Sequence, residues 1–367
     1  MPPRQRITAI VHRIHTATQG TPQVQTSGIF KLPIELLFEI FSHLNDHRRY
    51  IRDTCTNGEQ YGEVMRTKHV ERSTVIRKLT MTCWPLRNVL LPVLWKNTEG
   101  CIVKPPSDGG PAGKTYGLYA QCAYLLSNPA IAVYVQALSV DLSFKDAPND
   151  LMKKFIDTLV RLPNLRMLEL LSVSHRSPVT TGLKRKCAHF PSIREMTVCS
   201  MYPDFIRSCP NLESLTFRRG FVLHSYATIS SYGAGLKRVR GVDVGRSLNV
   251  DSVVRGCPKL QEIGLFGAVY CTSDEVVKHL REAKHLSVVE IHLAEYVEGR
   301  LDQSSNVLGR RKAWKACLID VLKNSPSRDR KFLRWKVAKI YSQPDEKRLV
   351  REIVETEELE VLSDSSR

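Results

Sequence analysis

Eight residues, Asp108-Gly109-Gly110-Pro111-Ala112-Gly113-Lys114-Thr115, have side chains and spacing that could hold a nucleotide phosphate. A phosphate-binding loop needs Gly-x-x-x-x-Gly-Lys-(Ser/Thr) between a strand and a helix, because its backbone N–H groups and its lysine surround the phosphate oxygens. In this chain Asp108 stands where the first glycine is required, so a carboxylate would lie near the phosphate. Pro105 and Pro106 also separate the loop from the apolar run 101–103. These departures favour a plain loop, and a nucleotide hydrolase ranks last among the functions considered.

The ten cysteines and the pair His12 and His15 are the other residues with ligand chemistry. None of the cysteines forms Cys-x-x-Cys, and no Cys/His spacing matches a zinc site. Several cysteines, such as Cys83 and Cys317, stand inside apolar patterns where a free thiol acts as a small hydrophobe. Unpaired cysteines are typical of a reducing compartment. We therefore expect no enzyme activity, no metal and no cofactor, in a protein of the cytoplasm, the nucleus or both.

The net charge of +17 raises the question of an acidic partner such as nucleic acid. Residues 300–351 carry 15 Lys/Arg against 5 Asp/Glu, whereas residues 352–367 carry 6 acids against one arginine. The remaining positive charge is spread along the chain, which is typical of a dispersed basic surface. Binding to nucleic acid or an acidic partner, through Arg310, Arg311, Lys312 and the basic cluster in 328–339, stays open as the alternative function.

Two tyrosines beside a basic run offer a more local nucleic-acid hypothesis. Tyr226 and Tyr232 precede Lys237, Arg238 and Arg240, and aromatic rings with nearby cations can stack bases. A solvated basic turn explains the same residues and is the favoured interpretation.

The elements that must position any site come from a repeat in residues 117–345. In each copy the second apolar residue stands three positions after the first, and the third stands two positions after the second, often following a Pro-Asn or Pro-Ser turn. This spacing predicts a short strand with alternating inward residues. Helix-like stretches at 151–162, 203–208, 251–257 and 274–283 lie between copies. The copies are Val135/Leu138/Val140, Leu165/Leu168/Leu170, Ile193/Met196/Val198, Leu212/Leu215/Phe217, Leu260/Ile263/Leu265 and Leu286/Val289/Ile291, with a weaker copy Leu236/Val239 that has Gly241 in the third place.

One strand with one helix cannot bury its apolar face alone, so neighbouring copies must stack. The pattern therefore resembles leucine-rich repeats, which implies a solenoid with parallel strands inside and helices outside. A helix over 310–323 and a half-buried strand at 333–337 follow, and the acidic end is expected to fray, with or without a preceding helix. Recognition in such a solenoid usually uses the strand face, whose flanking positions here are Arg166, Glu169, Arg194, Glu213, Lys237, Gln261 and Glu290.

The N-terminal region has a different pattern. After a basic arm over 1–28 with three arginines and no acid, residues 32–44 place apolar side chains on one helical face, with Pro33 suited to the first turn. Residues 45–70 turn polar and predict an inserted loop. A helix at 73–81 and the apolar run 83–95 follow, in which Pro85 and Pro92 predict short helices meeting at an angle.

These two blocks together resemble an F-box of the type common in fungal proteins. The matching residues are Leu32-Pro33-x-Glu35-Leu36-Leu37-x-x-Ile40-Phe41-x-x-Leu44, then Thr82-Cys83-x-x-Leu86-Arg87-x-Val89-Leu90-Leu91-Pro92-x-Leu94-Trp95. The resemblance covers about 45 residues, and the stretch between the blocks is about twenty residues longer than usual. It implies docking onto a Skp-type adaptor and, through it, a cullin–RING ubiquitin ligase. The residues that would form or support the docking face are Leu32, Pro33, Leu36, Ile40, Phe41, Leu44, Leu86, Leu90 and Trp95.

The sequence therefore predicts an α/β protein: a small N-terminal three-helix F-box followed by an irregular leucine-rich-repeat solenoid. We expect a basic arm at 1–28, an F-box-like domain at 29–98, a loop at 99–116, the solenoid at 117–345 and an acidic tail at 346–367. The predicted function is substrate recognition in a Skp–cullin–F-box ligase, with the substrate protein held on the repeats. No apolar run reaches the roughly 18–20 residues of a membrane span, so no membrane partner is expected.

Overall fold

The computed structural model describes residue 36 and residues 73–100, 111–142, 149–173, 183, 189–198, 203–217, 223–244, 247–267, 273–296, 304–327, 329–343 and 348–361. The chain divides into two compact units, Met1–Asp46 and His47–Arg367. In the first unit only Leu36 is described, as a helical residue whose surface is 49% exposed. The elements below belong to the second unit.

The described helices and strands alternate along the chain. The helices are α1 (73–80), α2 (Trp84–Lys96), α3 (Pro111–Ser127), α4 (Pro129–Ala132), α5 (Asn149–Arg161), α6 (Pro203–Arg207), α7 (Leu223–Tyr232), α8 (Ser247–Gly256), α9 (Ser273–Arg281) and α10 (Ser304–Asn324), with a 3₁₀ turn at Gly233–Gly235. The strands are β1 (Asn97–Gly100), β2 (Ala137–Leu142), β3 (Met167–Val173), β4 (Glu195–Val198), β5 (Ser214–Phe217), β6 (Arg238–Asp243), β7 (Glu262–Gly267), β8 (Val288–Tyr296), β9 (Lys331–Gln343) and β10 (Arg348–Val361). Among the described residues, no helix is long and apolar enough to cross a bilayer.

All ten strands form one sheet in strict sequence order, β1 to β10. Strands β1 to β9 are parallel, and β10 is antiparallel to β9. Because right-handed crossovers that always step in one direction place their helices on one face, this order predicts a two-layer arrangement. The apolar core agrees, since every second strand residue, such as Leu168 and Leu170, joins Phe155 and Leu159 of α5 in it. The α/β class predicted from the sequence is confirmed.

The three apolar positions of each predicted repeat are buried. Every residue of the six full copies has at most 4% of its surface exposed, from Val135 at 0% to Ile291 at 4%. In the weaker copy Leu236 and Val239 are also buried, and Val242 replaces the missing third residue because the pairing of β6 with β7 shifts between Val239 and Val242. Burying such side chains contributes about 25 cal/mol per Å² of apolar surface, which makes these stacked rows the main stabilising layer.

A repeated backbone pattern holds neighbouring units together ahead of each strand. The carbonyl of Arg166 accepts the N–H groups of both Arg194 and Glu195 of the next unit, at 2.8 and 2.9 Å. The carbonyl of Glu213 accepts two N–H groups in the same way, from Lys237 and Arg238. Each carbonyl has two lone pairs, so both N–H donors at the strand start are satisfied without a turn of their own.

The asparagine of the Pro-Asn turn makes a second connection between units. Asn211 donates its side-chain N–H to the carbonyl of Pro191 at 2.9 Å, and Asn164 donates to the carbonyl of Val133 at 2.6 Å. Val133 stands two residues before Val135, as Pro191 stands two residues before Ile193. The two amides therefore occupy equivalent positions and fasten each turn to the preceding one.

Several boundaries differ from the prediction. The loop expected at 99–116 contains the end of β1 at Gly100 and the start of α3 at Pro111, with 101–110 outside the described residues. Helix α7 was not predicted, because Leu223–Tyr232 has no clear amphipathic spacing. The angle expected between short helices at 83–95 is wrong: α2 is one helix, with Pro85 in its first turn and Pro92 inside it. Pro92 leaves the carbonyl of Asn88 without its helical donor, and Asn88 is exposed to water.

The prediction that the acidic tail frays is also wrong over most of the tail's length. Residues Arg348–Val361 form β10, which pairs with β9 from end to end with one register shift between Ile353 and Glu355. Val361 is buried in the apolar core and Leu359 packs against it. Two of its acids pair with the preceding basic segment, since Lys315 lies 2.6 Å from Glu357 and Arg334 lies 2.5 Å from Glu358. Sequence composition did not show that these opposite charges meet.

Candidate functional site

The face of the sheet opposite the helices carries two rows of mostly polar side chains, and we name it the polar face. Since neighbouring residues of a strand point to opposite faces, the residues between the buried apolar positions line it. In strand order the first row is Met167, Glu195, Ser214, Arg238, Glu262, Val288, Phe332 and Glu360. The second row is Ser139, Glu169, Thr197, Thr216, Arg240, Gly264, Glu290, Arg334 and Glu358.

A buried carboxylate forms the centre of the charged part of this face. Glu262 is 7% exposed, and its Oε1 lies 2.5 Å from Nη2 of Arg240 and 3.8 Å from Nη1 of Arg334. Arg240 also donates from Nε to the same oxygen at 2.6 Å. The two guanidinium groups balance a charge that would be costly to bury alone. Glu262 therefore orients both arginines, whose side chains remain 35% and 33% exposed.

Arg334 extends the network to the last strand. Its Nε donates to Oε2 of Glu358 at 2.5 Å. Burial alone would lower the pKa of Arg334, but the hydrogen bond and charge of Glu358, with the charges of Glu262 and Glu290, outweigh it and raise that pKa. Glu290, which is 4% exposed, also contacts the ring of His292. Arg334 is thus the central cation of three carboxylates.

A second ion pair crosses three strands. Arg238 on β6 lies 3.1 Å from Glu195 on β4, although Ser214 of β5 stands between them in the same row. Two strand spacings amount to roughly 9.5 Å, a gap that two long side chains can span only above a short residue. Ser214 is buried beneath the pair. Small residues in this row therefore permit pairing between non-adjacent strands.

Two glycines shape the backbone around Arg240. Gly241 has φ +75°, and a Cβ there would lie 1.9 Å from the carbonyl oxygen of Phe217. This conformation makes the irregularity in β6 after Arg240. A Cβ at Gly264 would lie 3.0 Å from the Cβ of Arg240. Glycine at this place gives the arginine room beside the next strand.

The flanking positions considered in the sequence have different roles. Glu213 lies 3.5 Å from Arg194 and 3.2 Å from Lys237, so three units are joined by charge beside the strand starts. Glu169 is fully buried and accepts a hydrogen bond from Ser139 at 2.7 Å. Gln261 and Arg166 are exposed, and their carbonyls serve the backbone pattern described above. Only the exposed side chains among these positions have surface to offer a partner.

The polar face thus presents charges of both signs, matched within the protein. Among its described arginines, Arg238, Arg240 and Arg334 each contact a carboxylate. A nucleic-acid surface instead needs an excess of cations that reach phosphates. A face with mixed, half-exposed charges suits another protein, whose own charges can complement them.

The predicted docking residues are only partly within the described chain. Leu32, Pro33, Ile40, Phe41 and Leu44 lie outside it. Leu86 and Leu90 on α2 are 4% and 0% exposed, so they support a surface rather than form one. Trp95 packs against the apolar core and stacks on Tyr124, with ring centroids 5.3 Å apart.

Two exposed apolar residues beside these positions were missed by the sequence reasoning. Met81, just after α1, has 78% of its surface exposed, and Trp84, the first residue of α2, has 65%. They lie three residues apart, with Val75 of α1 also 42% exposed. Large exposed side chains in one short stretch are a signal for binding. Trp84 lies inside the block that resembles an F-box, where its position was not among the matched residues.

The remaining chemical candidates are not assembled as a site. Lys114 lies inside α3, which begins before Gly113, whereas a phosphate-binding loop keeps these residues ahead of its helix. The guanidinium of Arg207 stands over the ring of Tyr232, 5.3 Å from its centroid, while Arg238 and Arg240 pair on the polar face. Tyr232, Arg238 and Arg240 therefore do not share one stacking platform, which agrees with the favoured interpretation of a basic turn. His12 and His15 lie outside the described residues.

One lysine of the basic cluster in 328–339 has a structural role. Lys331 is 5% exposed and donates from Nζ to the carbonyls of Ser325 at 2.8 Å and Lys323 at 3.3 Å. A cation at the end of a helix satisfies carbonyls that have no helical donor and opposes the helix dipole. Lys331 therefore closes α10 rather than facing a phosphate backbone.

Three thiols are too buried to react as nucleophiles. Burial raises the pKa of Cys122 to about 11, and that of Cys209 and Cys257 to about 12. Because the thiolate is the reactive form, these residues are inert at neutral pH. Their place in the apolar core agrees with the interpretation of cysteine as a small hydrophobe.

No protein-family model matches the chain, and a search of curated proteins finds no significant match. The fold and the polar face therefore stand on the geometry of this chain alone.

Proposed function

We propose that the protein is the substrate-recognition subunit of a Skp–cullin–F-box ubiquitin ligase. In this proposal residues 29–98 are an F-box that docks onto a Skp-type adaptor, which connects them to a cullin–RING ligase. The sheet with its helices is a leucine-rich-repeat solenoid, and its polar face binds the substrate protein.

The polar face is the observation that carries the proposal. The side chains of Arg238, Arg240 and Arg334 are 40%, 35% and 33% exposed, and each is held by a carboxylate of another strand. Charges fixed in this way lose little side-chain entropy on binding and remain accessible to a partner's charges. Such complementarity gives selectivity for one partner more than raw affinity.

The docking half of the proposal is supported by the second block of the F-box resemblance. Leu86 and Leu90 hold α2 in place from the inside, while Met81 and Trp84 offer large apolar surfaces outside. Tryptophan and neighbouring apolar residues are frequent anchors of protein interfaces. Burying them on an adaptor would contribute about 25 cal/mol per Å² before the costs of association.

The proposed role needs no chemistry from this chain. Holding a substrate beside a ubiquitin-charged partner raises the local concentration of reacting groups, which alone accelerates transfer. Substitutions on the polar face should then change which substrate is bound. Substitutions in the docking region should remove ligase association whatever the substrate.

The test is co-purification of the full chain with a Skp-type adaptor. We expect the wild-type protein to retain the adaptor, and variants at Pro33, Ile40 and Leu44 (to Ala or Asp) to lose it. Affinity purification with mass spectrometry, with and without residues 31–95, then separates the two halves. Loss of the ligase subunits with retention of a substrate supports the proposal. No adaptor on the wild-type protein would refute it.

The same purification tests the alternative function. A nucleic-acid-binding protein would retain nucleic acid with an affinity that falls steeply as salt rises. The paired arginines of the polar face predict that such binding is weak and does not depend on Arg238 or Arg240.

A further inference from the structure

Three possible metal ligands meet on the helical side of the protein, away from the polar face. Asp251 lies in α8, His279 lies in α9 and Glu282 follows just after the end of α9. One ligand atom from each residue lies within 4.8 Å of the other two. Helices α8 and α9 belong to successive units and pack side by side. The cluster therefore bridges two neighbouring repeats.

The two inner residues are already spaced as ligands of one ion. Oδ1 of Asp251 lies 3.1 Å from Nδ1 of His279, and their side chains are 16% and 18% exposed. Both atoms are shielded from solvent, and neither has a hydrogen-bond partner of good geometry. Two ligands bound about 2.0–2.1 Å from a tetrahedral ion stand roughly 3.3 Å apart. A cation between these atoms would satisfy both without moving either helix.

Arg255 is the group that competes with a metal. Its Nε lies 2.8 Å from the same Oδ1 of Asp251, so its charge partly balances the carboxylate. The side chain of Arg255 is 68% exposed, which leaves it free to turn into water. Glu282 is exposed at the helix end and can approach the ion by rotation of its side chain. A divalent cation would replace the positive charge that Arg255 supplies to Asp251.

We infer that Asp251, His279 and Glu282 form a binding site for a divalent transition-metal ion of the zinc type. One imidazole nitrogen with two carboxylate oxygens suits Zn²⁺, Co²⁺ or Ni²⁺ rather than Mg²⁺ or Ca²⁺, which prefer oxygen ligands alone. Three protein ligands leave a fourth position for water. The bound ion fastens α8 to α9, two helices of successive repeats that otherwise meet through side-chain contacts. The sequence predicted no metal site. Asp251 stands 28 and 31 residues before the other two ligands, so no short motif marks the site.

The experiment uses Co²⁺ as the probe and the full-length, chelator-treated protein. The chain has ten cysteines, and cobalt bound by thiolate has a charge-transfer absorption that an oxygen/nitrogen site lacks. We expect one cobalt per chain with a tetrahedral visible spectrum free of the thiolate band. Zn²⁺ should displace it and raise the unfolding temperature.

Four variants make the assignment specific. Glu282→Gln and His279→Ala should each weaken cobalt binding at least tenfold and abolish the thermal shift. His285→Ala, an exposed histidine outside the cluster, is the matched control and should bind as the wild type does. Arg255→Gln should bind cobalt at least threefold more tightly, because the competing cation is gone.

The outcomes decide between a metal site and a plain ion pair. Wild-type protein that binds no cobalt, or Glu282→Gln that binds as tightly as wild type, would overturn the inference. Glu282 is exposed, so its substitution leaves folding intact even if that of His279 does not.

Discussion

Nε of Arg334 lies 2.5 Å from Oε2 of Glu358, and this pair joins the two antiparallel strands at the end of the sheet. Arg334 also faces Glu262, which Arg240 holds from the other side. Side chains of β6, β7, β9 and β10 are thus connected by one chain of charges.

Replacing Glu262 by Gln should lower the free energy of unfolding by about 1–3 kcal/mol, because two partly buried guanidinium groups lose their counter-charge. The expected loss is kept moderate since both arginines reach solvent. Urea unfolding measures it. Glu360→Gln on the same face is the control, because Glu360 is exposed and its contact with Arg330 is 4.0 Å long. Equal effects of the two changes would contradict a central role for Glu262.

Gly241→Ala should destabilise the protein by about 2 kcal/mol or more, because the new Cβ would meet the carbonyl of Phe217 at a φ that L-residues avoid. Gly235→Ala is its matched control. At Gly235 the nearest atom, the carbonyl oxygen of Leu212, lies 3.4 Å from a built Cβ, an ordinary contact. Thermal or urea unfolding of both variants checks the difference, and similar stabilities would count against the backbone described for β6.

Asn211→Ala should cost about 0.5–1.5 kcal/mol through loss of the hydrogen bond to Pro191. Asn211 is exposed, so little else changes on truncation. The comparison variant is Ser192→Ala, at the equivalent place in the preceding turn. If Asn211→Ala unfolds at the same urea concentration as the wild type, the turn-to-turn amide bond contributes nothing.

Alkaline pH should weaken the fold through its buried thiols. The pKa of Cys257 rises on folding from an ordinary 9.0 to about 12, so the folded state holds the proton longer than the unfolded chain. The contribution of this thiol to the free energy of unfolding is fully present below about pH 9. Above that pH the free energy of unfolding falls by up to about 1.4 kcal/mol per pH unit for each such thiol.

Urea midpoints measured from about pH 8 to about pH 10 check this slope. Cys257→Ala should show a shallower fall than the wild type, whatever its stability at neutral pH. Cys317→Ala, at a half-buried position, serves as the control. Parallel curves for wild type and Cys257→Ala would exclude the explanation.

Trp84→Ser and Met81→Ser should each weaken binding of a Skp-type adaptor at least tenfold, equivalent to about 1.4 kcal/mol. Both side chains are largely exposed, so the free energy of unfolding should change little. Biolayer interferometry with purified adaptor measures the affinity. Tyr232→Ser, an aromatic residue 50% exposed on α7, should bind normally. Unchanged binding in both test variants would remove them from the docking face.

The sequence predicted the repeats well because their signal is local. The spacing of Leu165, Leu168 and Leu170 identifies the buried side of a strand whatever its place in the sheet, and all three residues are buried in the structure. Helix α7 escaped because its spacing has no clear apolar side. Strand β10 was not predicted because its five glutamates suggest a solvated segment. The sequence does not show that basic residues of β9 lie opposite some of them.

The polar face could not be predicted in the same way. The pair of Glu195 with Arg238 depends on the register of strands β4, β5 and β6, and the two residues are 43 positions apart along the chain. That register follows from packing, which a single sequence does not state. In the block that resembles an F-box, Leu86 and Leu90 stand at predicted apolar positions and are buried, but apolar spacing alone did not tell them from an exposed residue such as Trp84.

The strict sequence order of the strands also has an evolutionary consequence. Each parallel strand between the ends of the sheet is hydrogen-bonded only to the strands of the preceding and following units. A duplication or deletion of one whole unit, such as the 24 residues from Leu212 to Gly235, would join surfaces of the same kind. The length of the polar face could thus change by genetic recombination, without redesign of the core.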